Sequence, residues 1–226
     1  MARSFVATVV PGVLCGAALD NNDGRCFEIA VSFFAVIFTP EEPIMLKKEN
    51  TIRKARPEEF EKIGQLMVQV YSQLEGFPKP GEQPAYYQLL ANIGALTEKP
   101  GVSLLVATSP DEKIQGAVVY FSDMQYYGSG GSATQEKNAA GFRLLAVDPS
   151  SRGKGIGKLL TLECIRRAKE DGVSQLIIHS TMAMQVAWKM YEGLGFQRSE
   201  DLDFSQGGLP VYGFRLMLKE SHGPSS

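Results

Sequence analysis

Apolar residues recur at two different periods along this chain, and each change of period marks an element. Residues 51–55 (Thr51, Ile52, Arg53, Lys54, Ala55) alternate and predict a short strand. From 57 to 74, Phe60, Ile63, Met67 and Val70 fall three or four apart, which predicts an amphipathic helix. Pro57 suits its first turn, where a missing N–H costs nothing, and Glu58 and Glu59 suit the positive end of its dipole. Pro78, Pro80, Gly81 and Pro84 end that helix, and a second is expected over 86–96. Strands at 102–107 and 114–124 flank the turn residues Ser109, Pro110, Asp111 and Glu112 and form a hairpin. The glycine- and serine-rich stretch 127–133 reads as a mobile loop. A strand over 139–147 is followed by a helix over 156–171, with Ile156, Leu159, Leu160, Ile165 and Ala168 directed to the core. A buried strand at 176–181, a helix at 183–194 closed by Gly195, and strands at 196–199 and 211–218 complete the pattern. The order implies a mixed α/β fold: antiparallel strands first, then a strand–helix–strand unit whose two strands run parallel.

The ends read differently. Arg3 precedes an apolar stretch from Phe5 to Leu19, broken at Pro11 and Gly12, with Gly16, Ala17 and Ala18 placed like a weak secretory cleavage site. A second apolar run, 26–38, is shorter than the ~20 residues needed to span a bilayer. Residues 1–44 are therefore expected to be a poorly ordered extension ahead of Met45, with Pro40, Glu41, Glu42 and Pro43 as linker. The main domain is expected over 45–220, and 221–226 is a polar tail.

With 226 residues and a net charge of −2, the chain is long enough for one ordinary core and lacks the basic excess that nucleic acid demands. Cys15, Cys26 and Cys164 follow no metal-ligand spacing, and their odd number argues against a disulfide framework. A reducing cytoplasm is expected, with no metal, no nucleic acid and no membrane partner.

Most of the chemical information lies in residues 145–158. Leu145, Ala146, Val147, Asp148 and Pro149 end a strand, and Arg152, Gly153, Lys154, Gly155, Ile156, Gly157 and Lys158 lead into a helix. Free amides at a helix N-terminus bind anions, and the glycines let a diphosphate approach the backbone. A P-loop would need Ser or Thr after Lys158, where Leu159 stands. A dinucleotide fold would need its third glycine one residue later and an acidic residue at the end of the next strand, which here reads His179, Ser180, Thr181. A third reading is a coenzyme A site, and a glycine-rich connection that binds no ligand stays open beside it.

The run from Arg152 to Gly157 resembles the R/Q-x-x-G-x-G/A signature of the GNAT family of N-acetyltransferases. Leu145 to Pro149 is also typical of that family, as is the segment Tyr191, Glu192, Gly193, Leu194, Gly195, Phe196. The opening residues 52–59 are similar to the family's first strand and helix, so the likeness spans about 50–219. The resemblance implies the GNAT acyl-CoA N-acyltransferase fold: a central, mostly antiparallel sheet flanked by helices, with one parallel pair splayed around the pantetheine arm. It implies acetyl-CoA as co-substrate, no metal, a small-molecule or peptide amine as acceptor, and a possible homodimer. Leu145, Ala146 and Val147 would lie along the pantetheine. Arg152, Gly153, Lys154, Gly155, Ile156, Gly157 and Lys158 would hold the diphosphate. Tyr191 matches the usual general acid, whose phenol (pKa about 10) stays protonated beside a thiol of about 8.5. His179 falls where some relatives carry a basic carboxylate, and its ordinary pKa of about 6.5 suits a general base. Cys164 and Trp188 read as packing, while Tyr71, Tyr86, Tyr87, Tyr126 and Tyr127 border the expected acceptor region. Met184 stands where many relatives have a cofactor-binding asparagine, which keeps open a silent acetyl-CoA-binding module. No acidic cluster calls for a polyamine or aminoglycoside acceptor.

Overall fold

The computed structural model describes residues 50–218 and four short strands ahead of them. The chain divides into two units between Lys47 and Lys48. In the first, β2 (Leu14–Ala18) pairs antiparallel with β3 (Phe27–Val31), and β1 (Val9–Pro11) with β4 (Phe34–Val36). The rest of the expected extension, its proline linker and the 221–226 tail lie outside the described residues.

The second unit begins with β5 (Thr51–Lys54). The helix expected over 57–74 is divided, with a 3-10 turn at Pro57–Glu59 before α1 (Phe60–Ser72). Glu59 causes the division by accepting the Arg56 N–H at 2.7 Å and the Arg53 guanidinium at 2.7 and 2.8 Å. α2 (Pro84–Ala91) gives way to a 3-10 segment, Ile93–Glu98, where Gly94 is pressed against the Phe60 ring. β6 (Val102–Thr108) and β7 (Ile114–Phe121) form the expected hairpin. β7 stops short of Met124 because Asp123 accepts the Gln125 N–H and caps a 3-10 turn.

The 127–133 stretch, expected as a loop, is irregular but anchored at both ends by the buried Tyr127 and Ala133. Tyr127 is fully buried against Phe121, and Gly130 and Gly131 pack on Phe204. At Gly130 and Gly131 the missing side chain lets the backbone approach the Phe204 ring, a use of glycine that composition does not distinguish from a turn.

Then come β8 (Ala139–Val147), α3 (Ile156–Glu170), β9 (Gln175–Ser180), α4 (Gln185–Gly193) and β10 (Gln197–Arg198). β11 (Phe204–Gln206), which the pattern did not predict, pairs with β12 (Leu209–Met217). The sheet order is β10-β12-β9-β8-β7-β6-β5, antiparallel throughout except for β8 beside β9.

Alternation sorts side chains onto two faces. Leu104, Val106, Ala117, Val119 and Phe121 face α1 and α2, whereas Leu105, Ala107, Val118 and Tyr120 face α3 and α4. In β8 the phase slips. Ala140 and Phe142 lie on the α3 face, but beyond the slip Leu144 and Ala146 lie on the α1 face. Val119 pairs with Arg143 while Ala117 pairs with Ala146, so β8 carries one extra residue, and Leu144 takes a φ of 58° there. This is a bulge, which re-aims the backbone and increases local twist.

α3 can lie close to β7 only because Gly116 has no side chain. A Cβ there would sit 2.8 Å from the Ala146 carbonyl and 3.1 Å from Ile156. Gly116→Val is expected to destabilise the fold by about 3 kcal/mol, read as a shift of the urea midpoint.

Candidate active site

β8 and β9 pair for only three residues, Ala139 with Gln175, Ala140 with Leu176 and Gly141 with Ile177. Beyond them the strands diverge around a cleft of about 650 Å³, bordered by α1, the glycine turn and α4. The Asp148 N–H bonds to Gln115 on β7, so by alternation Ala146 also turns its amide to β7, and Leu145 and Val147 turn theirs into the gap. The Leu145 carbonyl indeed faces the Tyr71 hydroxyl, at 3.5 Å.

The turn after β8 is built for an anion. Asp148 accepts the Ser150 N–H, and Gly153 and Gly155 adopt φ of 75° and 78°. Leu159 makes the first bond of α3, to Gly155, which leaves the amides of Ile156, Gly157 and Lys158 without intrahelical acceptors at the positive dipole end. A Cβ on Gly153 or Gly155 would meet nothing within 4 Å, so these glycines serve backbone conformation and leave open space. Arg152, Gly153, Gly155, Gly157 and Lys158 line the cleft.

Tyr191 reaches the cleft from α4, 5% exposed, its ring edge-on to Phe142 and tilted on Phe196. Burial pushes its phenol well above the ordinary value, and its hydroxyl has no hydrogen-bond partner among the described residues. It is a neutral donor at physiological pH.

His179 also borders the cleft, but both ring nitrogens are engaged. Nε2 lies 2.9 Å from the Leu202 carbonyl, which only accepts, so Nε2 carries the proton and Nδ1 accepts from the Tyr127 hydroxyl at 3.1 Å. Burial, opposed by the Leu202 bond and aided by Arg143, lowers its pKa to about 4. This geometry argues against the expected general base and makes His179 a latch between the Tyr127 segment and the turn before β11. Unfolded histidine binds a proton below about 6.5 and the native ring only near 4, so stability falls as pH drops through that window. Between pH 7 and pH 5 the loss from this group is on the order of 2 kcal/mol, and His179→Gln should remove it from the pH dependence of urea unfolding.

The profile of the acetyltransferase (GNAT) family matches residues 67–196, more than half of the chain. This protein belongs to the GNAT family. N-acetylaspartate synthetase of Danio rerio is 32% identical over 138 residues, 59% of this chain and 45% of that protein. The chain thus spans less than half the length of this curated relative. A GNAT-family acetyltransferase from Staphylococcus aureus Mu50 shares the fold with a TM-score of 0.58 at 17% identity, covering 76% of this chain and all (100%) of that one. PaiA N-acetyltransferase from Thermoplasma acidophilum, solved with coenzyme A, gives 0.56 at 16% identity, covering 73% and 98%.

Within this GNAT chain, two expected cofactor residues stand elsewhere. Ala146 turns its backbone to β7 and its side chain, 1% exposed, into the core. Lys154 is exposed at the tip of the turn and does not line the cleft. Ile156 lines it, with its side chain in the core beneath α3. The sequence reading missed Arg143, whose signal was a lone cation inside the apolar run of β8, and Ser151, buried beside the turn. Cys164 is core as expected, and Trp188 packs on Tyr212 and Phe214 while donating to Glu192 at 2.8 Å. Among the described residues, no group of three or more His, Cys, Asp or Glu is placed to hold a metal, and no helix is long and apolar enough to cross a membrane.

Proposed function

We propose that this chain transfers the acetyl group of acetyl-CoA to a primary amine by direct attack, without a covalent enzyme intermediate. The observation that carries the proposal is the early divergence of β8 from β9 above a helix N-terminus with free amides. A pantetheine arm needs an extended slot with backbone partners, and a diphosphate needs converging N–H groups and cations. Leu145 and Val147 offer the first. Gly153, Gly155, Ile156, Gly157 and Lys158, with the Arg152 side chain, offer the second. Acetyl-CoA supplies the thioester and its thiol leaving group. Tyr191 supplies the proton for that sulfur, and its apolar ring neighbours keep the phenol neutral. With His179 committed to Tyr127 and Leu202, the ammonium of the acceptor loses its proton to water in the cleft. We place the protein in the cytoplasm on the odd cysteine count of its sequence.

The test is thiol release from acetyl-CoA over an amine panel. Release that depends on the amine supports the transferase. Binding of acetyl-CoA with no release from any amine makes this a silent binding module.

A further inference from the structure

Arg143 is a cation that the cofactor end of the cleft leaves unexplained. It sits on β8 beside the bulge, half-buried. Nη1 donates to the Tyr127 carbonyl at 2.7 Å and the Gly128 carbonyl at 2.5 Å, and the guanidinium lies 5.3 Å from the centre of the Tyr127 ring. Nη2 and Nε have no acceptor among the described residues. Arg53, Arg56, Arg166, Arg167, Arg198 and Arg215 all meet carboxylates. Of the described arginines, that leaves Arg143 and the turn's own Arg152 without one. Nη2 and Nε thus present an open edge of the guanidinium, to which a carboxylate can bind through two parallel charge-assisted hydrogen bonds.

Arg143 borders three adjoining spaces: the large cleft, a neck of about 70 Å³ and an outer pocket of about 310 Å³. Tyr71, Leu144, His179 and Met184 are common to cleft and neck, and Tyr86, Phe204 and Gln206 to neck and outer pocket. Thr181 also lines the neck, 4% exposed, and its hydroxyl has no hydrogen-bond partner among the described residues. Buried hydroxyls without partners are rare in native folds unless a ligand or water completes them. The outer pocket differs in character, with Ala85, Tyr86, Leu89 and Phe204 as apolar walls.

We propose that the acceptor is a primary amine bearing a carboxylate, of the size of an α-amino acid with an apolar or aromatic side chain. The carboxylate takes Nη2 and Nε of Arg143 with the hydroxyl of Thr181. The apolar body lies against Tyr86, Leu89 and Phe204, and the amine reaches the cleft beside Leu144. His179 contributes by holding Tyr127, and so the carbonyls that fix Arg143, in place. This inference rests on the acetyltransferase reading.

The experiment compares matched amines with the full chain at saturating acetyl-CoA: phenylalanine against phenethylamine, and leucine against 3-methylbutylamine. The carboxylated member of each pair should be favoured by about 100-fold or more in kcat/KM, and Arg143→Gln should bring each ratio to within about tenfold of one. Equal turnover within the pairs, or an equal loss for both members in Arg143→Gln, overturns the inference and leaves the acetyltransferase reading standing. Should Arg143→Gln fail to fold, calorimetry on the unaltered protein with coenzyme A decides. N-acetylphenylalanine should bind and its amide should not, and equal binding overturns the inference. Thiol release from neither series overturns this inference, and the transferase reading falls with it only if no amine of the wider panel gives release either.

Discussion

Tyr191→Phe is expected to lower kcat by about 100- to 10,000-fold, the range for loss of a positioned general acid, while acetyl-CoA affinity stays within about threefold. The phenyl ring keeps its contacts with Phe142 and Phe196, so packing is preserved. The lost hydroxyl has no protein partner among the described residues, so its removal leaves no donor or acceptor orphaned and stability should hold. The effect should therefore fall on turnover alone. Burial keeps this phenol protonated across the physiological range, so the wild-type rate should show no loss of acid function below pH 9. Wild-type turnover in Tyr191→Phe would show that the thiolate takes its proton elsewhere.

Gly157→Asp should weaken acetyl-CoA binding by about 1,000-fold, measured by calorimetry. Gly157 is in the first turn of α3, where a side chain brings no backbone strain. Its Cβ would meet Val147 at 3.6 Å, Met190 at 3.7 Å and Leu145 at 3.9 Å, ordinary contacts that the fold tolerates. The variant should fold. Its carboxylate would occupy the floor of the cleft beside the free amides, where it takes their hydrogen bonds and repels a diphosphate. Two like charges about 4 Å apart at an effective dielectric of 20 repel by about 4 kcal/mol, which is the factor given. Gly157→Ala separates the two causes: a modest loss of affinity from bulk, with helix stability raised by about 0.5–1 kcal/mol. Unchanged binding in Gly157→Asp would place the diphosphate away from this turn.

How much of this was readable beforehand depends on the range of the interactions involved. β8 has the expected bounds because its apolar run is closed locally by Asp148 and Pro149. The glycine turn was equally local, since strand, glycines and helix start are contiguous in the chain. The bulge at Leu144 was not readable, because a one-residue slip exists only relative to β7. The same slip decides which of Leu145, Ala146 and Val147 face the cleft, which is why Ala146 was misplaced among the cofactor residues. His179 was read by residue type and strand position. Its partners Tyr127 and Leu202 lie far away in sequence, and they turn a nominal base into a latch. Arg143 carried a readable signal, a charge within an apolar strand, whose meaning appears only when its missing carboxylate is set against the pairing of its peers.

The central claim is that the gap between β8 and β9, closed at one end by the start of α3, holds acetyl-CoA. Calorimetric titration of the full chain with acetyl-CoA, with NADH and ATP as controls, tests it most directly. Micromolar binding of acetyl-CoA with no comparable heat from NADH or ATP is the expected result. No binding of acetyl-CoA, or tighter binding of either nucleotide, would contradict it.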